Sequence, residues 1–393
     1  MNIIINGSHY TNPNPLLIDG RAAEGGEGYI LELNQNNLAK IYKPAERNNI
    51  RRKKVLALCG AYRRNIAEFG QESYAFPQFP AYVDTTDYDN IAGFSMPYFR
   101  GCRHIEDVEF NLDDGRFPPD PTGSPFFTDA SAVQLVYKIF ELVEHLHKAR
   151  IILADINPKN ILYNPQQKCP VIVDLDSAQV DLHPATAMSV ANLDPILERQ
   201  SKAAGGKIYF STSSDIFGIA CVVFRFFMGV SPFKMVLSPP MRAEELRPKG
   251  VSIIRHFVEG DAFLRSLGHA YVPHPVNVKI AKRLESLKQT DKLLFDFFYR
   301  TFAQNGRKSL LYALPEADPR HPSNIFYIDP GIRKDFMARK AARAARIAQQ
   351  RPISPIALTA VKEVSSVIYA HPDPEELSMF LATFGLNTAT MFS

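Results

Sequence analysis

Residues 153–162, LADINPKNIL, place an aspartate and an asparagine five positions apart, directly after a long apolar helix pattern. A carboxylate at Asp155 could accept the proton of an attacking hydroxyl group, and the side-chain oxygen of Asn160 could bind Mg²⁺. An Asx-rich turn between a helix and a strand is the alternative interpretation. We favour the chemical interpretation of this segment.

A second acidic segment, VIVDLDSAQ (171–179), follows shortly after the first. Asp174 and Asp176 come at the end of an apolar strand pattern, and Asp174 stands fourteen residues after Asn160. Carboxylate oxygens at a strand end suit Mg²⁺, which binds through one or two carboxylates plus substrate phosphates. A solvated strand end is the alternative, and it becomes weaker once Asn160 lies one hairpin away. We therefore expect Asn160 and Asp174 to be metal ligands.

Two features that could contact phosphate precede these acidic segments. AEGGEGYI (23–30) places Gly25, Gly26 and Gly28 where one strand turns and returns as the next, and glycine lets backbone N–H groups approach phosphate oxygens. Lys40 follows on the next strand between apolar neighbours, and a buried ammonium is costly unless it meets an anion such as phosphate. An ordinary glycine-rich hairpin and a solvent-facing edge lysine are the alternatives for these two features.

The elements that must position these residues fall into two regions. Residues 1–100 are strand-rich, with one helix predicted over Ile50 to Phe69, and the pattern becomes helical after Asp129. The helix that precedes the first acidic segment has Asp129 or Ser131 as its expected N-cap. The predicted strands in the first region are Tyr29–Leu33, Leu38–Tyr42, Phe79–Val83 and Ile91–Tyr98, and the predicted later helices cover 213–228, 241–267 and 279–304.

Composition narrows the function classes. The chain has 393 residues, 46% hydrophobic and 22% charged, which is enough for one large or two medium cores. A net charge of +4 is small for this length, so we do not expect nucleic-acid binding. Four scattered cysteines without a CxxC pair indicate reduced thiols and a cytoplasmic protein. We expect no secretion signal and no membrane span, because the longest apolar run, 216–230, is interrupted by Arg225.

In their order along the chain, these motifs resemble those of the protein kinase superfamily: a GGEG loop, a strand lysine in a KIY context, a D-x-x-x-x-N loop and a D-L-D-S segment. They are similar in particular to divergent bacterial kinases, including kinase-like proteins associated with tellurite-resistance and helix-hairpin-helix modules. A fifth match is the segment 211–233, where Asp215 would hold the catalytic-loop backbone from behind. The resemblance covers about residues 15–305.

The resemblance implies an α+β, two-lobed, protein-kinase-like fold. A small, antiparallel, β-rich N-lobe would occupy residues 1–100, a larger and mostly helical C-lobe residues 101–310, and a C-terminal helical extension residues 311–393.

The resemblance also implies ATP and Mg²⁺ as cofactors, and roles for individual residues. Asp155 would be the catalytic base, Lys40 would pair with the α- and β-phosphates, and Asn160 and Asp174 would bind the metal. Backbone groups of Met96 to Phe99, which join the lobes, would hydrogen-bond the adenine edge. The implied nucleotide-binding positions are Gly25, Gly26, Gly28, Ile30, Leu38, Lys40, Met96, Tyr98 and Leu162.

Two parts of the kinase pattern lack a clear match. The first helix should supply a glutamate for Lys40, yet its early turns read RNNIRRKK, and Glu46 and Glu68 lie too far toward either end. The usual APE triplet is also missing, and Asp194 followed by Pro195, with Glu198, is the nearest candidate.

The expected activity is ATP- and Mg²⁺-dependent phosphoryl transfer to a hydroxyl, with a protein Ser/Thr kinase as the leading hypothesis and an unknown protein as substrate. Asp174-Leu175-Asp176 also resembles the acidic segment of aminoglycoside- or choline-kinase-like enzymes, so a small-molecule phosphotransferase is the second hypothesis. The extra carboxylate of Asp176 could bind a second metal or simply replace a flexible glycine. The missing helix glutamate, Leu153-Ala154 in place of the usual His-Arg and Asp174-Leu175-Asp176 in place of the DFG triplet motivate a third hypothesis, a nucleotide-binding pseudokinase scaffold.

The C-terminal region carries two amphipathic segments. The basic segment 333–351 is interpreted as a solvated helix, or alternatively as a docking helix for an acidic partner, nucleic acid or anionic lipid. The segment 372–386 has an apolar face that we expect to pack on this chain or on a partner.

Overall fold

The computed structural model describes residues 2–322, apart from residues 19–20, 25, 65–72, 182, 204–207, 209 and 319. Within this part the chain is a mixed α+β protein, as predicted, with an antiparallel sheet first and helices later. The strands are β1 (Asn2–Ile5), β2 (Ser8–Thr11), β3 (Leu17–Ile18), β4 (Arg21–Ala22), β5 (Gly28–Glu32), β6 (Asn37–Tyr42), β7 (Phe79–Val83), β8 (Ile91–Pro97), β9 (Arg103–His104), β10 (Ile151–Ile152), β11 (Ile161–Asn164), β12 (Cys169–Ile172), β13 (Gln179–Val180), β14 (Leu237–Ser238) and β15 (Ala270–Tyr271). The helices are α1 (Asn49–Arg64), α2 (Asp129–Lys148), α3 (Pro195–Ala203), α4 (Thr212–Met228), α5 (Ala243–Leu246), α6 (Ile253–Glu259), α7 (Ala262–Ser266), α8 (Pro275–Thr290) and α9 (Lys292–Ala303).

The N-terminal strands form a six-stranded antiparallel sheet in the order β2-β1-β7-β8-β6-β5. Its register places Lys40 of β6 opposite Ile30 of β5 and Phe94 of β8. Because side chains alternate between the faces of a strand, Tyr42 shares the Lys40 face. Tyr42 and Phe94 pack there against Val55 and other residues of α1, so the lysine lies on the face that this helix covers.

The close approach of β8 to the lysine strand depends on Gly93. A Cβ atom at this position would lie 1.9 Å from the carbonyl oxygen of Lys40, far inside van der Waals contact. Glycine therefore lets the two strands pair at the point where the lysine must be held.

Helices α2 and α4 form the centre of the helical region, and each begins with a capping box. The side chain of Thr128 accepts from the Ser131 amide, and the Ser131 side chain accepts from the Thr128 amide. The predicted N-cap at Asp129 or Ser131 is therefore wrong, because Thr128 is the residue with extended backbone at the helix entry. Helix α4 has the same arrangement with Ser211 and Ser214.

An aromatic core joins these helices to α9. The rings of Phe140 and Phe297 lie 5.0 Å apart, and those of Phe224 and Phe298 lie 5.1 Å apart, both edge to face. The core fixes α2 and α4 as rigid supports for the loop that connects β10 to β11.

The single helix predicted over 241–267 is wrong, since the structure has three short helices there, α5, α6 and α7. A 3-10 turn that contains Pro248 follows the first of them and ends at the left-handed Gly250, and Gly260 ends the second helix. The predicted helix over 279–304 is divided at Asp291, whose side chain accepts from the Leu294 amide and caps α9. Helix α3 was not predicted, because residues 176–212 carry no clear period.

No described helix is long and apolar enough to cross a membrane. The four cysteines are free thiols, of which Cys59 and Cys221 are buried. The segments 333–351 and 372–386 lie outside the described residues, and their predictions stay untested.

His145 on α2 predicts a loss of stability in mild acid. Burial lowers the pKa of His145 from 6.5 to about 4, with a smaller contribution from Lys148. In the unfolded chain His145 becomes protonated as the pH falls below 6.5, whereas in the folded protein it stays neutral down to about pH 4. The free energy of unfolding is therefore highest above pH 6.5 and decreases as the pH falls toward 4.

A variant with His145→Gln cannot titrate at this position. We expect wild type to lose about 1 kcal/mol more unfolding free energy than the variant between about pH 7 and about pH 5, after allowance for partial exposure. Urea unfolding at the two pH values measures the difference, and equal losses would contradict the assignment.

Candidate functional site

Asp215 of α4 organises the loop that carries the first acidic segment. Its carboxylate is buried and accepts hydrogen bonds from the amides of Leu153, at 2.7 Å, and Ala154, at 3.0 Å. His147 Nε2 lies 2.9 Å from the same carboxylate. Ala154 has a φ of 60°, which few non-glycine residues adopt. The prediction that Asp215 holds this backbone from behind is confirmed.

Asp155 and Asn160 are joined directly within this loop. Asn160 Nδ2 donates to the main-chain oxygen of Asp155 at 2.9 Å and to its carboxylate oxygen Oδ2 at 3.2 Å. Since the amide nitrogen is used in this way, the side-chain oxygen of Asn160 is left as an acceptor site for a cation. A 3-10 turn, Pro158–Asn160, with the Asn157 side chain accepting from the Lys159 amide, holds Asn160 in place.

The β11–β12 hairpin brings Asn160 next to Asp174. The amide of Val173, the residue before Asp174, donates to the carbonyl of Asn160 at 2.9 Å. Asp174 itself has a left-handed backbone with a φ of 59°. Asp155, Asn160 and Asp174 line one small cavity. The structure thus brings together the three residues that were predicted to act on a hydroxyl and a metal, and their chemical roles stay predictions.

Lys40 reaches across from the sheet to the acidic segment. Its Nζ donates to Asp174 Oδ1 at 2.8 Å and to Asp176 Oδ1 at 2.9 Å, and Glu27 Oε2 lies 3.8 Å away. Burial alone would lower the pKa of Lys40, but the two carboxylates outweigh it and hold the pKa above its usual value. Lys40 is therefore a partly buried ammonium surrounded by anions, rather than an edge lysine facing solvent.

The two carboxylates around Lys40 differ in their environment. Burial and the charge of Asp176 raise the pKa of Asp174 to about 6, against the opposing effect of Lys40. Burial would also raise the pKa of Asp176, but Lys40, Tyr42 and Asp174 lower it overall. Asp174 and Asp176 are two neighbouring carboxylates with only one ammonium, that of Lys40, between them. Binding of a further cation beside Asp174 is therefore favourable.

The glycine-rich loop is described except for Gly25, which lies outside the described residues. Gly28 has its own structural reason, because a Cβ there would lie 2.6 Å from the carbonyl of Ile41 on the paired strand. Gly26 is exposed and has open space around its Cα. Glu27, between these glycines, accepts two hydrogen bonds from Arg51 of α1, at 2.9 and 3.0 Å.

The residues expected around adenine lie on β5, β6, β8 and β11. Leu38 is buried and lies opposite Met96, while Ile30, Met96 and Leu162 are half-buried. The amide of Tyr98 donates to the carbonyl of Asn36 at 2.8 Å, so it is not available to a base. Pro97 has no amide proton. Of the amides of Pro97 to Phe99, only that of Phe99 could therefore serve an adenine edge.

Sequence reasoning missed the partners that surround Lys40. Tyr42 donates to Asp176 Oδ2 at 2.9 Å, and its position two residues after Lys40 on the same strand was a usable signal. Arg51 and Lys54 face the site from α1 in place of a glutamate. Of the two glutamates considered for that role, Glu46 pairs with Arg51 and Glu68 is outside the described residues.

Asp194, the nearest candidate for the missing triplet, is buried and ion-paired. Arg307 binds it through Nε at 2.7 Å and Nη2 at 2.9 Å, and its guanidinium lies over the ring of Phe217. Glu198 instead pairs with Lys202 and Arg247. The segment that begins at Asp174 is thus fixed at its far end by a buried ion pair.

Removal of the Arg307 side chain tests how strongly this ion pair holds the fold. Arg307→Ala leaves the Asp194 carboxylate buried without a cation, and we expect a loss of about 3–5 kcal/mol in unfolding free energy. The control Lys202→Ala breaks an exposed pair with Glu198 and should cost about 0.5 kcal/mol or less. Urea unfolding measures the free energy of unfolding of both variants. Similar losses in the two variants would contradict the conclusion that the Arg307–Asp194 ion pair stabilises the fold more than an exposed pair does.

Comparison with known proteins supports one family. Residues 122–248 match the family model of the protein kinase domain, a range that contains Asp155, Asn160, Asp174 and Asp215. The chain is also 31% identical over 93 residues, 24% of its length, to "Probable serine/threonine-protein kinase YbdM" of Bacillus subtilis (strain 168). That alignment spans 32% of the relative, so the chain matches about a third of its length. On the motifs, the geometry and these matches, the resemblance to the protein kinase superfamily is confirmed, with residues 122–248 as the matching part of a protein kinase domain.

Proposed function

We propose that this chain is an ATP- and Mg²⁺-dependent protein Ser/Thr kinase with the two-lobed kinase fold. The observation that carries the proposal is the meeting of Asp155, Asn160 and Asp174 at one cavity, with Lys40 bonded to Asp174 from the opposite side. The sheet of residues 2–97 supplies Lys40, and the helical region supplies the other three.

The residues present fit a nucleotide with Mg²⁺. Asp174 is crowded by the carboxylate of Asp176, and Asn160 keeps a free side-chain oxygen beside it. Bound Mg²⁺ would neutralise charge on the phosphates, with Asn160 and Asp174 as its protein ligands.

Phosphoryl transfer would then use the remaining residues as follows. The acceptor oxygen forms a bond to the γ-phosphorus while the bond from that phosphorus to the ADP oxygen breaks. Asp155 accepts the proton of the acceptor hydroxyl, and Lys40 holds the α- and β-phosphates. Asp215, through its bonds to the loop backbone, keeps Asp155 oriented.

A protein Ser or Thr is the acceptor that we favour, because the relative from Bacillus subtilis carries that description. The small-molecule alternative drew on the resemblance of Asp174-Leu175-Asp176 to the acidic segment of aminoglycoside- or choline-kinase-like enzymes. Asp176 is 2% exposed and uses both oxygens on Lys40 and Tyr42, which counts against Asp176 as a ligand of a second metal. The cytoplasmic location and the acidic partner of 333–351 stay predictions.

The test is to follow radioactive phosphate from ATP with Mg²⁺, with the protein alone and with cell lysate. We expect label on protein, in phosphoserine or phosphothreonine, and identification of the labelled product by mass separates the alternatives. Label only on a metabolite would overturn the Ser/Thr assignment and favour the small-molecule phosphotransferase.

A nucleotide-binding scaffold without turnover is the second candidate, and the lack of a helix glutamate for Lys40 favours it. Binding of ATP with no label on any acceptor, under conditions where the protein is folded, would support the scaffold over the enzyme.

A further inference from the structure

Helix α1 offers cations, not a carboxylate, to the nucleotide site. Its sequence, NIRRKKVLALCGAYRR, contains no acidic residue. Arg51 is 7% exposed and Lys54 is 1% exposed, so both charges are held inside the protein. Arg51 bonds Glu27, and Lys54 Nζ donates to the carbonyl of Ser177 at 3.0 Å. No residue of this helix can therefore hold the Lys40 ammonium by opposite charge.

Asp176 has the properties of a fixed anchor. Each of its oxygens is used, one by Lys40 Nζ and the other by the Tyr42 hydroxyl, both at 2.9 Å. Its side chain is 1% exposed, whereas that of Asp174 is 40% exposed and lines the cavity. One carboxylate is thus locked inside the protein, and the other is accessible to a ligand.

We infer that Asp176 positions Lys40 for the phosphates, in place of a glutamate on the first helix. The inference rests on the proposed nucleotide site and adds a positioning residue to it. When Asp174 turns to a metal, Lys40 keeps Asp176 as its partner and stays in place. Because Tyr42 also binds Asp176, the anchor connects strand β6 to the acidic segment without a carboxylate from α1.

Nucleotide binding to Asp176→Asn tests this role. Asparagine keeps the shape but removes the charge, so the lysine should lose its fixed orientation toward the phosphates. We expect the Kd of ADP to rise about 10-fold, and the Kd of adenosine, which has no phosphate, to change less than about twofold. Isothermal titration calorimetry measures both, and equal weakening of ADP and adenosine would overturn the inference.

A double-mutant cycle with Lys40→Ala makes the test stricter. If Asp176 acts through Lys40, Asp176→Asn should not weaken ADP binding further in the Lys40→Ala background. Additive losses in the double variant would show that Asp176 acts through the general fold, and would overturn the inference. The effect of Asp176→Asn should also persist without Mg²⁺, because Asp176 is not expected to bind the metal.

Tyr42→Phe serves where Asp176→Asn does not fold. It removes one hydrogen bond from Asp176 and should weaken ADP about threefold, again only when Lys40 is present. The matched control is Asp181→Asn, an exposed aspartate nearby that pairs with Arg64, and it should leave ADP binding unchanged. If the wild-type protein binds neither ADP nor adenosine, the proposed nucleotide site is wrong. If the wild-type protein binds both but the losses in the double variant are additive, only the inference about Asp176 is overturned.

Discussion

Substitution of asparagine for Asp155 is expected to lower the rate of phosphoryl transfer about 10³-fold, with ADP affinity almost unchanged. Asparagine keeps the size of the side chain but cannot accept the proton of the acceptor hydroxyl. The bond from Asn160 Nδ2 to the main-chain oxygen of Asp155, at 2.9 Å, survives the substitution, so the loop should keep its shape. Initial rates of labelling from radioactive ATP, with calorimetric ADP binding, measure the two effects.

The control for Asp155→Asn is Asp181→Asn, which removes an exposed carboxylate near the acidic segment. Its rate should equal that of wild type. An unchanged rate in Asp155→Asn would exclude Asp155 as the base. A loss of ADP binding of the same size as the loss of rate would show that the residue serves structure and not proton transfer.

The cavity residues could be predicted from sequence because local structure holds them together. Asp155 and Asn160 share one loop, and Asn160 is separated from Asp174 only by a hairpin with clear apolar strands. Their meeting therefore needs few long-range contacts. Asp215 was also predicted, from the resemblance of segment 211–233 to the central helix of the kinase C-lobe, and it lies in the first turn of α4.

The surroundings of Lys40 could not be predicted in the same way. Its partners Asp174 and Asp176 lie 134 and 136 positions away in sequence, and only the packing of the sheet on the helical region selects them. The family pattern directed attention to a glutamate on the first helix, and the chain uses a different carboxylate. The basic sequence of α1 showed that the usual lysine–glutamate ion pair was missing, but it did not show which carboxylate replaces the glutamate.

Strands rich in buried apolar residues, such as β6 and β8, were predicted nearly to their ends. The hairpin of β1 and β2 was missed because its strands have four residues each and β2 is mostly exposed. Residues 241–267 show the limit for helices, since apolar spacing continued through Pro248 and Gly250 although the backbone could not.

Removal of the proposed metal ligand Asp174 gives the second large expected effect. With Asp174→Ala, turnover should fall about 10³-fold or more, and Mg²⁺ should no longer strengthen ADP binding. Asp174→Asn is the matched variant, because asparagine tolerates the left-handed backbone at φ 59° better than alanine does. Both variants should lose the Mg²⁺ effect, since neither has a carboxylate at this position.

Stability separates this role from a structural one. Burial and Asp176 raise the pKa of Asp174 against the opposing effect of Lys40, so the folded protein disfavours the ionised carboxylate, and Asp174→Asn should melt at the same or a higher temperature than wild type. If the substitution stabilises the protein and yet abolishes turnover, Asp174 contributes to catalysis and not to stability. If Asp174→Asn instead melts at a clearly lower temperature, or keeps its Mg²⁺-dependent ADP binding, Asp174 belongs to the scaffold around Lys40 and the metal site must lie elsewhere.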